Sequence, residues 1–394
     1  MLRKLLITFI VMAIAGIVAL TINILDAQTV EEEKTKGVAE ISTKPSIVAL
    51  ATAMKNFRAS LSNELLADAS FPLGHKESYS WTNVPPGRDE DRGGIRFGEL
   101  SINQLTRFYE VLSVFLSDNG YTKVSLITKD PEKHLNDIEE TPKQKHPSFW
   151  ASNPYHIALF GNPETDGSWG FQLDGHHLAL NFLVHGDAVS IVPALIGTAP
   201  AIIDGTVVLE DERGKAFALL NSLDENQKRK AIQKDRRGLR VGAGRSTDPF
   251  LNHDYSEFVG IGLKASEMND TQTENLRKLI KTYVYNLETE FADIWMTDID
   301  AGLDDTYFVW IGGTTPNDPI YYRVFNPAVW IEFNNESGLD HIHTIIRSPN
   351  GNDYGIFALN RDSKTLLEHY SAADHHKVIH GLFDHHSRKN KEMY

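Results

Sequence analysis

Four runs near the C-terminal end of the chain are rich in β-branched and aromatic residues and lie close together: Tyr307–Ile311, Ile320–Phe325, Ala328–Phe333 and His341–Arg347. Turns rich in Gly, Pro and Asn separate them. Connections this short cannot hold the crossover that a parallel pair needs, so the pattern predicts antiparallel meanders. An earlier group, Tyr155–Gly161, Trp169–Val184 (broken near Gly175) and Val189–Val192, has the same character. Helical periodicity flanks both groups. Ser46 precedes a stripe of Ile47, Leu50, Ala51, Met54, Phe57, Leu61 and Leu65. Ser101 and Gln104 form a capping box ahead of Leu105, Phe108, Leu112, Phe115 and Leu116, with Gly120 as the stop. A long helix is predicted over Thr271–Ala292, and shorter ones over 215–223, 225–233 and 364–370. The expected fold class is α+β, a single large domain of antiparallel sheets and meanders with flanking helices.

Composition limits the chemistry. Hydrophobic residues make up 41% of the 394, enough for a large core. A net charge of −14 makes a poor partner for a phosphate backbone, so no nucleic acid is expected. With no cysteine, thiol nucleophiles, disulfides and thiolate-held metals are excluded. Sixteen histidines remain as ligands for a divalent metal, which Asp, Glu or backbone oxygen would complete. There is no nucleotide phosphate loop, no G-x-S-x-G elbow and no H-E-x-x-H helix, so no nucleotide cofactor is expected.

At the N-terminus, Arg3 and Lys4 precede an uncharged run from Leu5 to Leu25, and Asp26 and Glu31–Glu33 follow it. This charge order places the body outside the cytosol. The run suits a signal peptide cleaved after Ala27, or else a membrane anchor. The expected organisation is a leader over 1–27, a polar linker over 28–46, the domain over 47–376 and a His-rich basic tail over 377–394. Localisation is then periplasmic or extracellular, with membrane contact only through an uncleaved leader.

The candidate chemistry centres on residues 328–354. If Asn334–Leu339 closes a hairpin symmetrically, Glu332 lies opposite His341 and Trp330 opposite His343, with Cβ atoms about 5 Å apart. Glu332, His341 and His343 would then form a ligand set for Zn²⁺, Fe²⁺ or Mn²⁺. The same residues also suit a hydrogen-bonded polar strand face. In Asp174–Gly175–His176–His177, His176 shares strand parity with Leu178, Leu180 and Phe182. His177 shares it with Ala179 and Asn181, which marks His177 as the functional member and a further ligand. His369, on a short helix, is another candidate ligand. Tyr322, Arg323, Trp330 and His176 are candidate substrate contacts, and Arg347 and Asp353 join Glu332 as candidate catalytic groups, although structural Arg–Asp pairing is the commoner role. The stretch 236–246, basic and rich in glycine, reads as a mobile loop.

An ordered set of motifs resembles the bacterial family catalogued as domain of unknown function 3500. It comprises Trp81, Arg92–Gly93, Gln104, Tyr155, Phe160–Pro163, Trp169–Phe171, Gly175–Leu178, Pro193, Gly197 and Pro200. It continues with Tyr321–Arg323, Glu332, His341–Thr344, Arg347, Asp353–Gly355 and His369. Phe325–Asn326–Pro327 stands where a His or Gln followed by Gly-Pro is expected of the family. The resemblance implies one large domain and candidate positions, without a reaction. The leading expectation is a metal-dependent hydrolase of a small anionic or polar substrate, with oxygen-dependent iron chemistry allowed by the same ligands. The alternative is a binding protein for a sugar or organic acid, its groove lined by Trp81, Trp169, Trp310, Tyr321, Tyr322 and Trp330.

Overall fold

The computed structural model describes residues 42–83, 92–129, 155–349 (save 165, 236, 241–254 and 336–339) and 353–355. The leader, most of the linker, His369 and the His-rich tail lie outside the described residues. Among those described, no helix is long and apolar enough to cross a membrane.

The fold is α+β. Its strands are β1 (Ser70–Phe71), β2 (Ile95–Arg96), β3 (His156–Gly161), β4 (Ser168–Gly175), β5 (Leu178–His185), β6 (Ala188–Ser190) and β7 (Ala194–Thr198). They continue with β8 (Ile202–Ile203), β9 (Thr206–Val207), β10 (Leu263–Lys264), β11 (Tyr307–Gly312), β12 (Ile320–Asn326), β13 (Val329–Asn335) and β14 (Ile342–Arg347). Twelve of them form one open sheet in the order β1-β3-β4-β5-β7-β14-β13-β12-β11-β10, with β2 on β3 and β6 on β5; β8 and β9 form a separate hairpin. Of the pairs in the large sheet, β1–β3 is parallel and the rest are antiparallel. The two predicted strand groups are therefore halves of one sheet. The strand that joins them, β7, pairs with β5 on one side and β14 on the other. Its sequence, ALIGT, shows no apolar–polar alternation and carries a glycine, so it does not stand out as a strand pattern.

Eight α-helices lie among the described residues: α1 (Pro45–Ser60), α2 (Asn63–Ala69), α3 (Ile102–Phe115), α4 (Asp118–Lys129), α5 (Glu210–Ser222), α6 (Glu225–Ala231), α7 (Asp270–Val284) and α8 (Thr289–Ala301). The stripe from Ile47 to Leu65 is split because the Ser62 hydroxyl accepts from the Leu65 N–H and starts α2 afresh. The Ser101–Gln104 capping box opens α3 as predicted. Gly120 does not stop that helix. It lies in α4, where a Cβ would sit 2.2 Å from the Asn286 carbonyl oxygen, so only glycine allows the contact. The predicted helix over Thr271–Ala292 is two helices, parted where Leu287 bridges to Leu116.

Alternate residues of the strands meet very different surroundings. One face carries Phe171, Leu173, Leu180, Phe182, Ile196, Ile331, Phe333, Tyr322 and Trp310, which merge with helix residues such as Phe108, Phe115, Leu219 and Leu276 into the main core. Phe171 stacks on Phe182 at 4.3 Å, and Tyr322 lies between Trp310 and Phe333. Burying such rings contributes about 1.5–3 kcal/mol each. The opposite face carries Gln172, Asp174, Asn181, Arg323, Glu332, Asn334 and Arg347, all buried, among smaller apolar clusters. The candidate site lies on this polar face.

Candidate metal centre

The turn between β4 and β5 consists of His176 and His177 alone, since Gly175 pairs with Leu178. His177 takes a left-handed backbone (φ 64°), a conformation that His tolerates better than β-branched residues do. Its N–H donates to the Asn83 carbonyl (3.2 Å), and its own carbonyl accepts from the Gly197 N–H (2.6 Å). The His176 carbonyl accepts from the Tyr155 hydroxyl (3.1 Å), and the His176 ring stacks on the His177 ring at 3.8 Å. His176 thus supports the turn. His177 projects onto the polar face and is 2% exposed.

Two further imidazoles come from the start of β14. His343 lies in register with Gly197 on one side and Asn334 on the other, and His341 precedes it by two residues, so both share a face. The strand between the two histidine-bearing segments is β7, and at this level it carries no side chain. A Cβ on Gly197 would lie 2.9 Å from His343 Cδ2, 2.8 Å from the Ile342 carbonyl oxygen and 3.4 Å from His177 Cβ. Glycine at 197 leaves the space in which the rings meet.

There they form a triad. His177 Nε2 and His341 Nε2 are 2.9 Å apart. Ring centroids are separated by 4.9 Å (177–341), 5.1 Å (177–343) and 4.6 Å (341–343). One nitrogen from each lies within 4.8 Å of the others. Three imidazoles on a tetrahedral zinc at 2.0–2.1 Å would place their nitrogens about 3.3 Å apart, so side-chain adjustments suffice to close on an ion. Burial, and next the neighbouring His341, push the His343 pKa down to about 4. At neutral pH His343 is therefore uncharged, the form that ligates metal.

Glu332 is not part of this group. Strand β13 pairs with β14 so that Glu332 faces Ile345, Trp330 faces Arg347, and Asn334 faces His343. The symmetric closure at Asn334 fails because Asn334 and Asn335 are strand residues. Asn335 Oδ1 accepts from the Ile320 N–H, and its carbonyl accepts from Arg237 Nη1. Glu332 Oε1 instead accepts from the Tyr321 hydroxyl and the Arg240 N–H, both at 2.7 Å. The basic stretch 236–246 thus contributes a backbone donor to this face, a contact its composition does not announce.

Other expectations are corrected by strand parity. Tyr322 faces the helical core, where its hydroxyl donates to the Glu212 carbonyl and meets Tyr283 Oη; Tyr321 is the tyrosine on the polar face. The two-residue period from Arg323 would have identified Tyr321. Arg347 and Asp353 pair with each other at 2.7 Å, and Asp353 Oδ1 also accepts from the Ser348 N–H. Burial works against the Arg347 charge, but Asp353 outweighs it and holds the guanidinium pKa above its ordinary value. Each thus holds the other, and neither member lies in the histidine group. Trp330 is fully buried against Tyr255, Phe258 and Phe325. The six aromatics proposed for a groove are all buried and divide between the two faces, with Trp169, Trp310 and Tyr322 in the helical core.

Residues outside the predicted ligand set complete the surroundings. The Trp81 indole N–H donates to Tyr354 Oη (2.9 Å), Asp174 Oδ2 accepts from the Thr82 N–H, and Arg92 Nε lies 3.8 Å from Asp174 Oδ1. No curated protein sequence matches the chain, and no solved structure does. The profile of the family described as "Protein of unknown function (DUF3500)" matches residues 43–356, most of the chain, and the protein belongs to that family.

Proposed function

We propose that the protein is a divalent-metal-dependent hydrolase of a small polar substrate, acting outside the cytosol. The observation that carries this reading is the convergence of His177, His341 and His343 from two separate segments onto one point of the sheet. Among the described residues the group contains no carboxylate. Non-haem iron oxygenases characteristically use two histidines and one carboxylate, whereas three histidines with an open fourth position suit hydrolytic zinc. A zinc ion so held would acidify a bound water to a pKa near neutrality and supply the nucleophile. The chain's own contribution is to keep His343 neutral and all three imidazoles aimed. His177 is fixed through its backbone on both sides, and His343 by the strand register. The extracytoplasmic part of the reading rests on the charged and apolar pattern of residues 3–33.

The test uses the full chain with the tail histidines 375, 376, 380, 385 and 386 replaced by Asn, so that adventitious ligands are removed without truncation. After dialysis against zinc, mass spectrometry should find about one equivalent per chain, as expected of a single three-histidine site. A His341→Ala/His343→Ala variant of the same protein should retain none. Ester, amide and phosphoester substrates are then screened for turnover that a chelator abolishes. Failure of the parent protein to take up zinc, cobalt or manganese would refute the proposal.

A further inference from the structure

A second feature of the polar face calls for a ligand of its own. Arg323 is 4% exposed, and its Nε is buried without a hydrogen-bond partner. Its guanidinium carbon lies 4.6 Å from the Phe258 ring centroid and 5.2 Å from that of Trp330. Trp330 is fully buried, and its Nε1 has no hydrogen-bond partner either. Glu332 stands directly across from Arg323 in the register, but its Oε1 is turned to Tyr321 and Arg240. Two unsatisfied N–H donors, one on a cation, therefore belong to side chains in direct contact beside the Phe258 ring. Aromatic faces stabilise a guanidinium but accept none of its in-plane hydrogen bonds. Leaving a buried donor unmade costs about 1–3 kcal/mol, so two of them side by side point to an absent acceptor.

We infer that Arg323 and Trp330 receive a carboxylate of the protein's ligand. The Nε edge of a guanidinium presents two parallel N–H groups that match the two oxygens of a carboxylate, and the indole N–H supplies a third donor to the same group. A phosphate dianion would bring a second negative charge into this buried setting, at a larger desolvation cost. Phe258, on the outer side, is only half-buried, which puts solvent beside that ring. Across the sheet, Arg323 is two strands and two residues from His343, about 12 Å along and across the pleat. The inference rests on the hydrolase reading only in making this carboxylate part of the substrate. The carboxylate site itself stands on Arg323 and Trp330 alone. The substrate class it implies is a carboxylic acid whose scissile bond lies roughly 10 Å from its anionic end.

Thermal unfolding of the chelator-treated full chain, with sodium acetate titrated against sodium chloride at equal ionic strength, tests the site without any metal. Acetate should raise Tm saturably, as a ligand of the folded state does. Arg323→Met, which keeps a flexible apolar stem between the two rings, should abolish the rise. Trp330→Phe, which deletes only the N–H side of the ring system, should weaken the apparent affinity about tenfold, the worth of one hydrogen bond to a charged group. Should Arg323→Met fail to fold, the Trp330→Phe shift carries the test alone. A response equal in chloride, one unchanged in both variants, or one stronger with inorganic phosphate than with acetate overturns the inference. Acetate binding in a protein that takes up no metal keeps this site and removes the hydrolase, while metal uptake without an acetate response does the reverse.

Discussion

The two faces of the large sheet are made from alternate residues of the same strands, yet they are held together by opposite means. On β5, Leu178, Leu180 and Phe182 enter the helical core, while Asn181 between them bonds the Gln172 amide and the Pro193 carbonyl. On β12, Tyr322 stacks between two rings, while Arg323 beside it is a buried cation. The helical face gains from area removed from water and from close packing. The polar face is buried nearly as deeply but depends on each group meeting its partner. Burial without apolarity is costly, and a fold retains it where polar groups are needed in fixed places. That contrast locates the site better than any pocket shape does.

The comparison breaks most visibly where a partner is removed. Asp353→Ala leaves Arg347 charged and buried, and should cost about 3–5 kcal/mol of stability. Adding Arg347→Leu to it should restore a large part of that loss, since no charge is then stranded. On the helical face Phe171→Ala should cost a similar 3–5 kcal/mol, but adding Phe182→Ala should deepen the loss by enlarging the void. Urea unfolding of the four variants measures both pairs. An Asp353→Ala protein as stable as its parent would remove the distinction between the faces.

A second, smaller effect separates the faces by pH. Burial first, and then Arg92 and Arg96, push the pKa of His156 down to about 4 from 6.5. The unfolded chain therefore binds a proton at this position between pH 6.5 and 4 that the folded chain does not. Stability rises with pH through this window, and His156 withdraws up to about 3 kcal/mol as pH falls to 4. His156→Gln should lie close to the parent at pH 7.5 and become the more stable of the two near pH 4.5. Parallel stability curves for the two proteins would show that His156 is not held neutral by its surroundings.

Much of the fold was legible because strand runs, turns and capping residues act locally. The antiparallel order followed from short connections, and the His177 side of the turn from parity with Ala179 and Asn181. What escaped depends on contacts distant in sequence. Strand β13 runs on through Asn335, which bonds Ile320 and Arg237, and periodicity does not show this. The place of β7 is set by the neighbours on either side of it, and the role of Gly197 by rings from residues 177 and 343. The residues that carry the family resemblance, among them Trp81, Arg92, His177, Gly197, Glu332, His343, Arg347 and Tyr354, gather on the polar face or against it, though no pairwise spacing in the sequence says so.

Gly197 also gives the sharpest separation of site from scaffold. Gly197→Ala inserts a methyl 2.8 Å from the Ile342 carbonyl oxygen and 2.9 Å from His343 Cδ2, so the strand or the ring must shift. The expected stability loss is about 1–3 kcal/mol, the usual cost of overpacking. Zinc affinity should fall at least about tenfold, because ligands moved from their positions lose binding steeply. Competition with a chromophoric chelator measures it. Unaltered zinc affinity in a folded Gly197→Ala protein would mean that the three rings do not share one ion.

The adjacent tyrosines offer the finest comparison, because one conservative change can be made on each face at neighbouring positions. Tyr322→Phe removes a hydroxyl that donates to the Glu212 carbonyl deep in the helical core. Tyr321→Phe removes one that donates to Glu332, beside Asn334 and hence one step from His343. Burial keeps both hydroxyls protonated, their pKa values well above the ordinary tyrosine value, so each acts as a donor throughout the neutral range. Each loss should cost about 1 kcal/mol, with Tyr321→Phe the costlier because its acceptor is a carboxylate left with one fewer donor. The faces differ in what else changes. Tyr322→Phe should leave zinc and acetate binding as they are. Tyr321→Phe frees the Glu332 oxygen to turn toward Arg323 across the strand, and acetate should then compete with an internal carboxylate and bind more weakly. Equal acetate affinity in the two variants would mean that Glu332 is fixed by its strand and not by Tyr321.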